Sequence, residues 1–169
     1  VMKRFFLYIL LVLFCFLLQT TLFQWLELAG IIPNILIILV VSIGYIRGIN
    51  ESMIVGILCG LCMDLMYGNF IGYYALLYLT VGFLSGYSNY FYEKDDYTLP
   101  LILIGVGDLV YGTLFYILSY LLRARLHVFY YLRRIMIPEA IYTVVVAIIL
   151  YKLIHLLNGY MVKLESKEE

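Results

Sequence analysis

An all-α polytopic membrane protein, a bundle of six transmembrane helices, is the fold this sequence predicts. Three observations carry it. Hydrophobic residues make up 65% of the 169 and charged residues only 13%, against roughly half and a quarter in soluble domains. Mean hydropathy is +1.01. The apolar residues fall into six runs, at 5–25, 31–46, 52–67, 71–92, 99–122 and 135–157, most of them near the ~20 residues that cross a bilayer. No stretch between the runs is long enough to hold a soluble core, so 1–169 reads as one integral membrane domain, with 158–169 as a cytoplasmic tail. Eleven basic residues balance eleven acidic ones, which argues against nucleic acid as a partner, because phosphate binding needs a concentrated basic surface.

The first run follows Met2-Lys3-Arg4, which resembles the start of a signal peptide. It continues to Trp25 without a small-residue cleavage site, so it reads as the first membrane helix. The second opens at Pro33-Asn34, where proline suits a first turn because its missing N–H would be unpaired there anyway. The second and third runs are short, about 16 residues and ~24 Å each, against a ~30 Å hydrocarbon core. Either they span with locally thinned lipid, the reading preferred, or they form a re-entrant hairpin turning at Arg47-Gly48-Ile49-Asn50-Glu51.

Small residues recur every four positions through this region, at Gly44, Gly48, Ser52, Gly56 and Gly60, ending on Asp64. Gly82 and Gly86 repeat the spacing in the fourth run. Such faces let helix backbones approach closely where lipid removes the hydrophobic drive. They serve either packing within the bundle or the reception of another protein's membrane helix. Asp64 precedes Gly68 and Gly72 at the turn into the fourth helix, where water or backbone donors would relieve its charge. Asp108 lies mid-way along the fifth run among Gly105, Gly107 and Gly112. A carboxylate within the membrane faces the bundle interior or water. Two acids without an intramembrane basic chain make a poor proton relay, so both are read as structural.

The sixth run opens at Pro138-Glu139-Ala140, which would put Glu139 at the positive end of a helix dipole. Before it, LLRARLHVFYYLRRI alternates Arg123, Arg125, Arg133 and Arg134 with apolar and aromatic residues. That pattern suits a segment in the headgroup layer or an outward docking surface. Lys3, Arg4, Arg47, Lys94, Lys152, Lys163 and Lys167 outnumber these four, so the positive-inside tendency places both termini in the cytoplasm. Tyr8, Tyr67, Tyr73, Tyr74 and others near run ends read as interfacial anchors rather than an aromatic cage.

Cys59 and Cys62 have redox-motif spacing, but the remaining cysteine, Cys15, stands alone in the first run, so buried thiols are expected. His127 and His155 lack neighbouring ligands at metal-binding spacing. No nucleophile–base set or phosphate-cradling loop can be assembled. The expectation is no enzyme, no cofactor and no metal.

The order of these residues resembles the rod-shape-determining MreD family. Pro33-Asn34, Arg47-Gly48, Gly56-x3-Gly60-x3-Asp64, Gly68, Gly72 and Ala75-Leu76 carry the first half of the likeness. Pro138-Glu139-Ala140-x-Tyr142 carries the second. The resemblance implies a non-enzymatic component of the elongation machinery in the bacterial plasma membrane, embedded in the lipid bilayer. It implies binding to MreC, a single-span protein, and through it links to MreB filaments, RodA and RodA's partner transpeptidase in peptidoglycan synthesis. It also implies a fold similar to the substrate-binding (S-component) subunits of energy-coupling-factor transporters, with small-molecule capture as the alternative function. On this reading Asp64 organises the bundle. The partner would meet the small-residue face of the third and fourth helices and the outer segment from Arg123 to Arg134.

Overall fold

The helix least able to cross a bilayer lies at the centre of the bundle. In the computed structural model, which describes residues 2–93, 95–120, 124 and 127–166, the chain forms six helices. They are α1 (Met2–Trp25), α2 (Ile35–Arg47), α3 (Ile49–Tyr67), α4 (Tyr73–Gly86), α5 (Thr98–Ser119) and α6 (Val128–Glu165). Every residue of α2 from Ile35 to Ile46 is buried, as expected of a helix that is apolar all round. Among the described residues four helices, α1, α3, α5 and α6, are long and apolar enough to cross a membrane. At 13 residues, α2 reaches only ~20 Å, but protein surrounds it, so its ends meet polar side chains rather than hydrocarbon. Lys94, Arg123, Arg125, Lys167 and the end of the expected 99–122 run lie outside the described residues.

Cross-helix bonds define two ends. At the proximal end the starts of α1 and α3 meet the end of α6. Arg4 Nη1 donates to Glu51 Oε1 at 2.8 Å, and Arg4 pairs with Glu165 at 2.7 Å. The chain's two terminal segments therefore share one end. At the distal end the Tyr142 hydroxyl of α6 donates to Leu26 O beyond α1 at 2.8 Å, and Tyr73 of α4 bonds Ser119 of α5.

Several boundaries differ from expectation. Residues 31–34 are not helical. Leu28 and Ile31 exchange backbone hydrogen bonds of 3.1 and 3.0 Å, and Pro33 disfavours helical backbone at the residue before it. The expected loop at 47–51 shrinks to Gly48, whose φ of +97° reverses the chain in one residue. Asn89 braces this turn by donating from Nδ2 to Tyr45 O at 2.8 Å. The fourth helix starts after Gly72 (φ +104°), and a 3₁₀ turn, Tyr87–Phe91, finishes it. The sixth helix is longer at both ends. It starts at Val128 and passes through a π turn, Leu132–Met136, before regular α-helix resumes at Ile137. A proline ring clashes with the carbonyl four residues back, and the widened turn gives Pro138 room. The expected unstructured tail is helical to Glu165, whose carboxylate is held by Arg4.

The glycine ladder is consumed inside the protein. A Cβ at Gly56 would stand 2.6 Å from Tyr78 O, and one at Gly82 2.7 Å from Ser52 O. At Gly60 and Gly86 it would overlap the backbones of Ala75 and Ile49. Both faces are pressed against each other along the α3–α4 seam, so neither is open to a partner helix. This corrects the partner-surface expectation for Gly56, Gly60, Gly82 and Gly86. Gly44 closes a three-helix junction against Ser52 and Ser85, where Ser52 Oγ donates to Val40 O at 3.0 Å.

Candidate functional site: a polar cavity at the distal end

Asn34, just before α2, is buried, and a buried amide needs its hydrogen bonds. Its Oδ1 accepts from Ile37 N at 3.3 Å, capping α2. The same oxygen accepts from the Tyr78 hydroxyl of α4 at 3.1 Å. Its backbone N–H donates to Thr143 Oγ1 of α6 at 3.0 Å, and Thr143 in turn donates to Asp108 Oδ2 of α5 at 3.1 Å. Nearby, Gln19 of α1 accepts from Leu36 N at 3.1 Å through Oε1. Helices α1, α2, α4, α5 and α6 are thus tied together at one level by polar atoms.

A cavity of about 300 Å³ opens above this level. Its walls include Gln19, Asn34, Tyr74, Tyr78, Tyr111 and Glu139. Glu139 lies one helical turn from Thr143, and its carboxylate has no hydrogen-bond partner among the described residues. Because the chain is already helical upstream from Val128, no free helix terminus lies beside Glu139 to favour its charge. Asp108 is 5% exposed, and its Oδ1 has no hydrogen-bond partner among the described residues. The described lining of the cavity includes no Lys, Arg or His.

The two motif regions singled out in the sequence meet here, since Pro33, Asn34 and Glu139 line the same cavity. Tyr142, three residues on from Glu139, is not in the cavity lining and bonds Leu26 instead. Tyr67 and Tyr74 line the cavity too, so the purely interfacial reading of these tyrosines is corrected. Tyr8 is also not an anchor: it is buried and donates to Glu51. Gln19, Thr143, Tyr78 and Tyr111 are members of the site that sequence reasoning passed over. A threonine or glutamine inside an apolar run was the available signal, because such a group must find a partner.

The remaining candidate residues lie elsewhere. Asp64 is 3% exposed and caps α4 from a distance. Its Oδ2 accepts from Gly72 N at 2.8 Å and Ala75 N at 3.2 Å, and its Oδ1 from Tyr74 N at 2.8 Å. Gly68 ends α3 by donating its N–H to Asp64 O at 3.0 Å. Arg47 sits in the proximal cluster, where Nε donates to Asn158 Oδ1 at 2.5 Å and Nη1 lies 3.7 Å from Glu165. Arg133 and Arg134 are exposed at the distal end, Arg134 lying 5.8 Å from the Tyr130 ring centroid. Cys15 and Cys59 are buried free thiols and Cys62 is half-buried.

A family model described as rod shape-determining protein MreD matches residues 1–161. The chain belongs to the MreD family. No curated protein and no solved structure matches it. Membership makes it a rod-shape-determining protein of a structural membrane family, in agreement with the four membrane-length apolar helices among the described residues. All the motif residues discussed above fall within the matched span of this MreD-family chain.

Proposed function

We propose that the protein is a non-enzymatic scaffold of the bacterial rod complex that binds MreC and helps to organise peptidoglycan synthesis. It sits in the plasma membrane with both termini cytoplasmic, and it connects through MreC to MreB filaments, RodA and RodA's partner transpeptidase. The family match over residues 1–161 carries this reading. Two features support it. The contact between Arg4 and Glu165 puts both terminal segments at one end, with Arg47 beside them, as the positive-inside tendency favours for a cytoplasmic face. At the other end the segment Val128–Met136 presents Phe129 (87% exposed), Tyr130, Arg133 and Arg134 to the surroundings. Aromatic and arginine side chains are the residues enriched in protein interfaces. With the glycine faces occupied, this segment is the contact we assign to MreC's extracytoplasmic part.

Affinity purification from native membranes in mild detergent, followed by mass spectrometry, tests the proposal. Recovery of MreC with wall synthases is expected. The double variant Arg133→Glu/Arg134→Glu should lose most of the MreC while keeping its own yield. Recovery of paired ATPases in place of MreC would overturn the scaffold and favour a capture subunit. An unchanged yield of MreC with the variant would move the interface elsewhere.

A further inference from the structure

We propose that the distal cavity is a binding site for an ammonium group, carried by a small free amine or by a lipid headgroup. The argument starts from charge. Two carboxyl groups lie at this level, Glu139 of α6 on the cavity wall and Asp108 of α5 behind it, bonded to Thr143 one helical turn along α6 from Glu139. Neither Glu139 nor Asp108 Oδ1 has a hydrogen-bond partner among the described residues. Carboxylates within a membrane protein are normally paired, and Asp64 obeys that rule with three backbone N–H donors. In the distal pair Asp108 Oδ2 alone is bonded, by Thr143, and Asp108 Oδ1 is buried without a donor among the described residues. A ligand that supplies N–H donors or positive charge completes it. A phosphate or carboxylate ligand would find no basic side chain in the described lining to receive it.

The walls complement the same class. Tyr67, Tyr74, Tyr78 and Tyr111 line the cavity beside Glu139. Aromatic side chains with a carboxylate are the combination that recognises alkylammonium ions, through cation–π attraction and a counter-charge. At about 300 Å³ the cavity lies at the small end of ligand sites, which suits a headgroup or a free amine of similar size. The side-chain amides of Gln19 and Asn34 are already engaged by Leu36 N–H and by Ile37 N–H with the Tyr78 hydroxyl. That leaves the acids and phenols as the principal acceptors.

The inference does not rest on the scaffold reading, and its test is separate from co-purification. Thermal unfolding of the purified full chain in dodecyl maltoside is followed during titration with choline chloride and with ethanolamine. Controls are sodium chloride at equal ionic strength and 3,3-dimethylbutanol, the neutral isostere of choline. A saturable rise in Tm with either amine, absent with both controls, is expected. Glu139→Gln should weaken the apparent affinity tenfold or more, as loss of a desolvated counter-charge does. If that variant does not fold, the comparison of amine with isostere on the wild-type chain still decides. Native mass spectrometry from nanodiscs of phosphatidylethanolamine and phosphatidylglycerol distinguishes the sources. Selective retention of phosphatidylethanolamine assigns a lipid, and saturation by free amine without retention assigns a soluble ligand. The proposal is overturned if neither amine stabilises and no lipid is selected, if the isostere or salt acts as well as the amine, or if Glu139→Gln binds as the wild type does.

Discussion

Asp64 offers the sharpest test of how this fold manages a charge in an apolar setting. Its carboxylate accepts three backbone hydrogen bonds at the start of α4, at 2.8, 2.8 and 3.2 Å. The donors are the orphan N–H groups that any helix start leaves unpaired. Asp64→Ala removes both acceptor oxygens and leaves the donors of Gly72, Tyr74 and Ala75 without them. Each unsatisfied donor costs about 1–3 kcal/mol when buried. These three residues are only half-buried, so about 1 kcal/mol apiece applies, or ~3 kcal/mol together. Asp64→Asn keeps one oxygen but turns an NH₂ toward N–H groups, so it should lose about half as much, ~1–2 kcal/mol. For a chain of this size each kcal/mol moves Tm by roughly 2–4 °C. The alanine variant should therefore melt about 6–12 °C below wild type and the asparagine variant about half as far below. Thermal unfolding in one detergent, read by loss of the monodisperse chromatographic peak, measures both. Melting of both variants within 2 °C of wild type, or asparagine below alanine, would refute the capping account.

Three further outcomes follow from the same structure. Gly60→Leu should destabilise the protein by more than about 3 kcal/mol, because no side chain fits against Ala75 without parting α3 from α4. The measurement is folded yield, and a well-folded variant that has lost only its partner would contradict the packing described. Glu51→Gln, which weakens the pairing with Arg4 and Tyr8 at the proximal end, should cost only about 1 kcal/mol, since Arg4 and Glu51 retain partial exposure. A double-mutant cycle with Arg4→Gln in thermal unfolding checks it. Maleimide labelling of the folded protein should modify Cys62 well before Cys59 or Cys15, because Cys59 is 0% and Cys15 5% exposed; equal labelling would contradict the burial.

Much of the fold was legible because it depends on quantities that one chain position carries alone. Apolar runs mark helices in any environment that lacks water, since backbone groups there must bond within their own segment. The role of Asp64 at the α3–α4 turn followed from its place before Gly68 and Gly72. Boundaries were less legible where a side chain decided them. Asn34 and Pro33 hold residues 31–34 out of the helix, and a π turn carries α6 upstream of Pro138. The Glu139 dipole reading failed for that reason, since it assumed a helix end that the chain does not have.

The site was half legible. Pro33-Asn34 and Pro138-Glu139 stood out as motifs, yet nothing in their spacing said that residues a hundred positions apart would line one cavity. That meeting requires α2 to be enclosed by the other helices, which follows from its being apolar on every face. The tyrosines make the same point in a different way. A tyrosine near a helix end satisfies its hydroxyl equally well at the lipid interface or in a polar cavity, and its local sequence is the same in both. Tyr67, Tyr74, Tyr78 and Tyr111 became one wall only when α3, α4 and α5 were packed. Membrane residence, the six helices and the family motifs are properties of composition and order, because transfer into lipid and backbone hydrogen bonding act on each segment separately. The fate of the glycine faces, the pairing of the terminal segments and the placing of Glu139 and Asp108 at the distal cavity are properties of packing. They depend on which surface each helix turns toward its neighbours, and in lipid that choice is made by close fit rather than by hydrophobicity.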